Sequence, residues 1–231
     1  MAMETSIARK CFRHIFFALL LLAGIQNGFS RGFVNLDFES AKIIPIVGSP
    51  LYPYAIEVTN ALPGWTVLID GSQVSQINYN APAGGTSFVN LWATNGQQIS
   101  GSYSVLLQGG GALLGAAISQ TAVVPGSAES LLFEGQAGFG GTLVVSLGGQ
   151  DLSFSAVGTG SDYTLYEAAI PAGLAGQSEQ LEFNATTGNL NNWNIDNIQF
   201  STFAVPEPGT LTLTALGGLF FAFRRWKNHS P

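Results

Sequence analysis

The chain has 231 residues, 46% hydrophobic and 10% charged, with a formal net charge of −6 at neutral pH. Between residues 31 and 204 the only bases are Arg31 and Lys42 against twelve carboxylates, a balance that repels phosphate backbones and excludes nucleic acid as a partner. Cys11, His14 and His229 are the only cysteine and histidines, and all lie outside that middle, which therefore has no disulfide, thiolate nucleophile, His/Cys zinc site or Ser-His-Asp triad.

The N-terminus reads as an export signal over residues 1–30. Arg9, Lys10, Arg13 and His14 precede an apolar run at 15–25, and Gly28 and Ser30 sit at −3 and −1 of a cleavage before Arg31. Cys11 lies ahead of the apolar run, so it is not placed as a lipoprotein cysteine. An uncleaved anchor is the alternative, and either reading exports the middle of the chain.

Residues 31–204 have the length of one domain with a full core. Short runs rich in β-branched, aromatic and leucine residues, separated by Gly, Pro, Asn and Ser, predict strands over 34–39, 54–59, 66–69, 74–79, 87–92, 103–107 and 116–123. Others are predicted over 129–137, 143–147, 150–156, 163–170, 179–184 and 194–200, with Gly148-Gly149 as a hairpin turn. Residues 111–117 are ambiguous, and no internal repeat is visible. The expectation is an all-β domain, a two-sheet jelly-roll sandwich.

The last segment, 205–231, carries Pro206-Glu207-Pro208, an uncharged run at 210–223 and then Arg224-Arg225-Trp226-Lys227. The prolines disfavour helix just before them, so the acidic motif is presented extended. As a helix the uncharged run rises about 21 Å, short of a hydrocarbon core of about 30 Å unless Trp226 and snorkelling bases extend it. The terminal cations hold that end on the cytoplasmic side.

This arrangement resembles the PEP-CTERM sorting signal of bacterial proteins processed by an exosortase. Pro206, Glu207 and Pro208 match the family's recognition motif, and Arg224 and Arg225 its basic end. The resemblance implies passage through the secretion translocon, a transient inner-membrane anchor through a single transmembrane helix, and cleavage near the motif. It also implies release to the cell surface or extracellular matrix of a Gram-negative-type bacterium. The alternative is a plain C-terminal anchor that is never cut.

The middle resembles a galactose-binding-like jelly roll of the kind found in many carbohydrate-binding modules. The phrases are Asn35-Leu36-Asp37-Phe38-Glu39 as an opening strand, Leu62-Pro63-Gly64-Trp65 as a turn, Ile118-Ser119-Gln120-Thr121, and Ile195-Asp196-Asn197-Ile198 as a closing strand. The resemblance implies a structural calcium where the first and last strands meet, with Glu39 and Asp196 as its carboxylates and backbone carbonyls or water completing six to eight oxygens. The alternative gives Glu39 an amide to bind and Asp196 a turn to hold.

Sugar rings pack C–H faces on tryptophan while their hydroxyls need amides and carboxylates. Trp92, Trp65 and Trp193 each lie beside a turn or polar amides, and are the candidate ligand residues, Trp92 first. No catalytic residue stands out. Asn184-Ala185-Thr186 fits a glycosylation sequon, but in a bacterium it reads as a strand-end turn. The expected function is a non-catalytic surface or matrix protein that binds or embeds in extracellular polysaccharide. A purely structural matrix protein is one alternative, and a glycosidase using two carboxylates is another.

Overall fold

The computed structural model describes residues 32–205, apart from 51–52, 83–85, 94–96, 112–114, 139–140 and 189–190. The expected signal peptide, and the sorting segment from Pro206 with its membrane helix, lie outside the described residues. The elements are β1 (Ala55–Glu57), α1 (Val58–Ala61), β2 (Thr66–Ile69), β3 (Ser72–Val74), β4 (Gln76–Tyr79), β5 (Phe88–Trp92), β6 (Ser104–Gly109) and β7 (Ala116–Val123). They continue with β8 (Ser130–Gly138), β9 (Leu143–Leu147), β10 (Gln150–Asp151), β11 (Phe154–Thr159), β12 (Thr164–Ala169), β13 (Ser178–Ala185) and β14 (Asn191–Ser201).

The strands form two sheets, as expected for a jelly-roll sandwich. One has eight strands in the order β1-β4-β5-β6-β14-β8-β12-β11, and the other six in the order β10-β9-β13-β7-β2-β3. Every neighbouring pair is antiparallel except β4 and β5. Strand alternation explains which face is inside: along β13, Leu181, Phe183 and Ala185 are buried while the residues between them are not. Leu91, Leu107, Phe133 and Ile195 from the large sheet and Val67, Ile118, Leu147 and Phe183 from the small one share a single core. Burying such side chains contributes about 1.5–3 kcal/mol each.

The large sheet departs from simple alternation. All of β5 and all of β6 are buried, on both faces. Its outer face is therefore covered there, by segments that also shape the candidate site.

Three expectations are corrected. Residues 34–39 do not form a strand: Asn35 and Phe38 have φ of 51° and 55°, in the left-handed region, and the segment turns on itself. Asn35 Oδ1 accepts from Ser40 N and Asp37 Oδ1 from Glu39 N, local bonds that compete with a ladder. Residues 74–79 are two strands, β3 pairing in the small sheet and β4 in the large one, because the chain crosses between sheets at Ser75. Residues 150–156 divide in the same way into β10 and β11. A period of two says nothing about which sheet a strand joins. The one-turn helix α1 was not expected; Leu62 N donates to Val58 O to close it.

The four phrases that suggested the fold meet at one end of the sandwich. Trp65 Nε1 donates to Asn35 O at 2.9 Å, and the Phe38 and Trp65 rings lie 5.7 Å apart. Gln120 clasps the same segment twice, its Oε1 accepting from Val34 N and its Nε2 donating to Val34 O. Ile198 N donates to Leu36 O, so the opening segment does lie beside the last strand.

Candidate functional site

The two carboxylates assigned to calcium sit at this same junction, in different surroundings. Glu39 Oε1 accepts from Ser102 N at 2.7 Å and Tyr103 N at 3.1 Å, tying the opening segment to the chain entering β6. Asp196 is only 2% exposed. It stands directly opposite Glu134 of β8, just before the register shifts along β14. Asn197 N donates to Asp196 Oδ1, and Asn197 Nδ2 to Glu134 Oε1, while Glu134 Oε2 is buried with no partner.

Burial pushes the Asp196 carboxyl up to about 8; the Asn197 amide opposes this, and the charges of Glu134, Glu39 and Asp37 add to it. Few bases are at hand to relieve this field, since Lys42 is the sole Lys or Arg in the span from 32 to 205. The donor set suits a hard cation in kind: oxygen atoms, negative charge and an unmatched acceptor. Among the described residues no three His, Cys, Asp or Glu side chains gather as a metal-holding group, so carbonyl or water oxygens would have to complete the shell.

The tryptophans separate. Trp65 is in the core, held by Asn35 and Phe38. Trp193 is in the core as well, 6% exposed, its ring 5.5 Å from Tyr166 and 6.0 Å from Phe154, with Nε1 donating to Gly141 O at 2.9 Å. Trp92 is as buried as the other two, at 5% exposed, but on the opposite, outer face of the large sheet, where it packs with Phe88 and Leu106 as a small separate buried cluster.

Beside that cluster is a cleft of about 440 Å³. Its sheet residues share one face by register: Leu106 on β6 is opposite Asn194 on β14, which is opposite Gln136 on β8. Trp92, the 97–99 segment and Asp162 from the β11–β12 turn complete it. Asn194 Nδ2 donates to Gln97 O at 2.8 Å, which ties the overlying segment to the sheet. Asn194 Oδ1 and Gln98 Oε1 are buried without partners. Gly138, at the end of β8, leaves room for Asn192: a Cβ there would collide with the Asn192 side-chain amide.

The cleft thus offers an apolar wall, several amides and one carboxylate, within the size range of small-ligand pockets. Sequence reasoning singled out Trp92 and missed Gln98, Gln136, Asp162 and Asn194. Gln136 and Asn194 are brought together by sheet register, and Gln98 and Asp162 by the connections that fold over that face, neither of which a local pattern reveals.

Residues 204–225 match the model of the PEP-CTERM protein-sorting motif. The chain carries this sorting motif. No curated protein matches it. Similar solved structures include the enzymatically active domain of bacteriophage CBA120 tailspike protein 4, at 16% identity and a TM-score of 0.35, covering 60% of this chain. The match spans only 19% of that tailspike chain. Another is the C-terminal family 22 carbohydrate binding module of Clostridium thermocellum Xyn10B, at 15% identity and a TM-score of 0.33, covering 71% of this chain and 100% of the module. A third is a xylan-binding domain of CBM 22, at 12% identity and a TM-score of 0.33, covering 68% of this chain and 99% of that one. At these TM-scores the likeness says nothing about what the cleft holds.

Proposed function

We propose that the protein is exported, sorted by an exosortase and displayed at the cell surface or in the matrix, where the cleft binds extracellular polysaccharide without reacting with it. One observation carries the binding reading: a sugar-sized cleft on the outer sheet face is lined together by Trp92, by the amide residues Gln97, Gln136 and Asn192, and by the Asp162 carboxylate. The sorting motif supplies the location in which polysaccharide is the abundant partner.

A non-catalytic role is favoured because Asp162 is the one carboxylate lining the cleft, whereas glycoside hydrolysis uses two flanking the bond. Glu134 and Asp196 face each other on the same sheet surface but are not among the lining residues. Calcium, in this reading, is held by Glu39 and Asp196, ties the opening segment to β14 and plays a structural part.

The test is a glycan array probed with the full-length protein and with Trp92→Ala. Selective binding by the wild type, weakened at least about tenfold by the loss of one packed aromatic, is the expected result. No binding to any glycan would favour a purely structural matrix protein. Turnover of a bound oligosaccharide, abolished by changing a single carboxylate, would make it a glycosidase.

A further inference from the structure

We propose that the sorting cut falls at one of the two peptide bonds flanking Gly209, so that the displayed protein keeps Pro206-Glu207-Pro208; this rests on the exosortase-sorting reading above. The window is closed on one side by the fold and on the other by the membrane. On the fold side the backbone is engaged as far as Phe203. β14 pairs with β8 up to Ser201, opposite Ser130, and Ser201 O accepts from Glu129 N at 2.8 Å. Phe203 N then donates to Ser201 Oγ at 3.0 Å, and the fully buried Ser130 hydroxyl lies 2.8 Å from Phe203 O.

A protease that takes its substrate as an added strand pairs with main-chain N–H and C=O groups on both sides of the bond it breaks. For every bond from Phe203 to Glu207, the residues just upstream include Phe203 or lie next to it, and its backbone groups are already taken. Val205–Pro206 and Glu207–Pro208 are poorer still, because proline has no N–H to pair and its ring crowds the residue before it. Pro208–Gly209 is the first bond with an ordinary amide nitrogen and the whole motif on its upstream side. On the membrane side, the sorting reading has the uncharged run at 210–223 cross the bilayer, and at 1.5 Å per residue it rises only about 21 Å against a core of about 30 Å. A span already too short leaves none of its residues in water. Bonds beyond Thr210 then lie in hydrocarbon, away from the water that hydrolysis consumes.

Gly209 stands between these limits, and with no Cβ it leaves both of its bonds open to close approach. In the cut, water gives its hydroxyl to the carbonyl carbon, which becomes the new carboxyl end. The amide nitrogen takes the proton and leaves as the amino end of the membrane tail.

The experiment expresses the full-length chain in a host with the matching exosortase and reads the C-terminal peptide of the surface protein by mass spectrometry. The mature chain should end in Pro208 or Gly209. A chain ending at or before Glu207, or within the run that starts at Thr210, overturns the inference while leaving exosortase sorting intact. A wild-type chain that is never cut ends both. Gly209→Pro turns the upstream bond into an X–Pro bond and sets a ring beside the downstream one, yet proline is tolerated in the first turn of a helix. It should therefore insert and stay full length in the inner membrane, whereas Gly209→Ala, which adds only a methyl group, should be cut at the same bonds as the wild type. Processing of Gly209→Pro as fast as the wild type would also overturn the assignment.

Discussion

At the scale of single residues, Asp196 is the most informative side chain. It is an acid buried against another acid, Glu134, with Glu39 and Asp37 nearby, and its carboxyl titrates near 8 instead of the usual 3.9 or so. A group whose folded pKa is raised contributes stability that is complete below its unfolded pKa and is lost as pH rises through its folded pKa. In chelator, the contribution of Asp196 should therefore fall between about pH 4 and pH 8, at up to about 1.4 kcal/mol per pH unit for one proton. Asp196→Asn should remove that slope. Calcium acts in the opposite sense, because it binds the ionised form: added at pH 8 it should raise Tm, by an amount that grows with the logarithm of its concentration above Kd. Glu39→Gln should abolish the calcium response while leaving the slope in chelator. Melting curves at pH 5 and pH 8, with and without the ion, decide the matter. Identical curves in chelator and calcium at pH 8 would remove calcium from the account.

At the scale of elements, strands were legible in the sequence wherever a short apolar run was bounded by turn residues, β5 and β6 included although both of their faces are buried. β2, β7 and β9 run over the predicted residues because each is a short run rich in Val, Ile, Leu or Thr bounded by turn residues. The opening phrase misled because its asparagine and phenylalanine adopt left-handed backbone, which no period reveals. Trp193 misled for a subtler reason. The asparagines on either side of it do belong to the cleft, but successive side chains of a strand point to opposite faces, so the tryptophan between them enters the core. Amide composition located the right strand; parity decided which of its residues face the cleft. The same parity makes Gly138 a sharp probe. In Gly138→Ala the added methyl lies on the cleft face against the Asn192 amide, and the overpacking should cost about 1–3 kcal/mol and weaken glycan binding at least about tenfold as the floor shifts. Gly126→Ala, where a Cβ meets nothing, should change neither. Urea melts and an affinity titration of both variants test this, and unaltered binding by Gly138→Ala would mean that the floor of the cleft is not where the glycan rests.

At the scale of the whole molecule, the folded body and the sorting motif are close neighbours along the chain. The Ser130 hydroxyl lies 2.8 Å from Phe203 O and 2.7 Å from Glu167 Oε1, and Phe203 N donates to Ser201 Oγ, so the sandwich holds the chain as far as Phe203. Pro206 comes after only Ala204 and Val205, a reach of about 10 Å when extended. A protease that reads Pro206-Glu207-Pro208 must therefore work close against the folded domain, at a depth set by the sequence beyond. In the proposed sorting route, Arg224, Arg225 and Lys227 would resist translocation, each costing about 2.5–3.5 kcal/mol at a bilayer centre, and so would stop the chain with the motif at the outer boundary. Replacing Pro206-Glu207-Pro208 with alanines removes both the recognised residues and the bar to helix before them. In a host with the matching exosortase, the altered protein should stay full length in the inner membrane, while the wild type loses its tail and appears outside. Mass spectrometry of surface material reads the outcome. A wild-type surface chain still ending beyond Arg224-Arg225-Trp226-Lys227 would make this segment a plain anchor, and the cleft would then meet its polysaccharide tethered to the membrane and not released into the matrix.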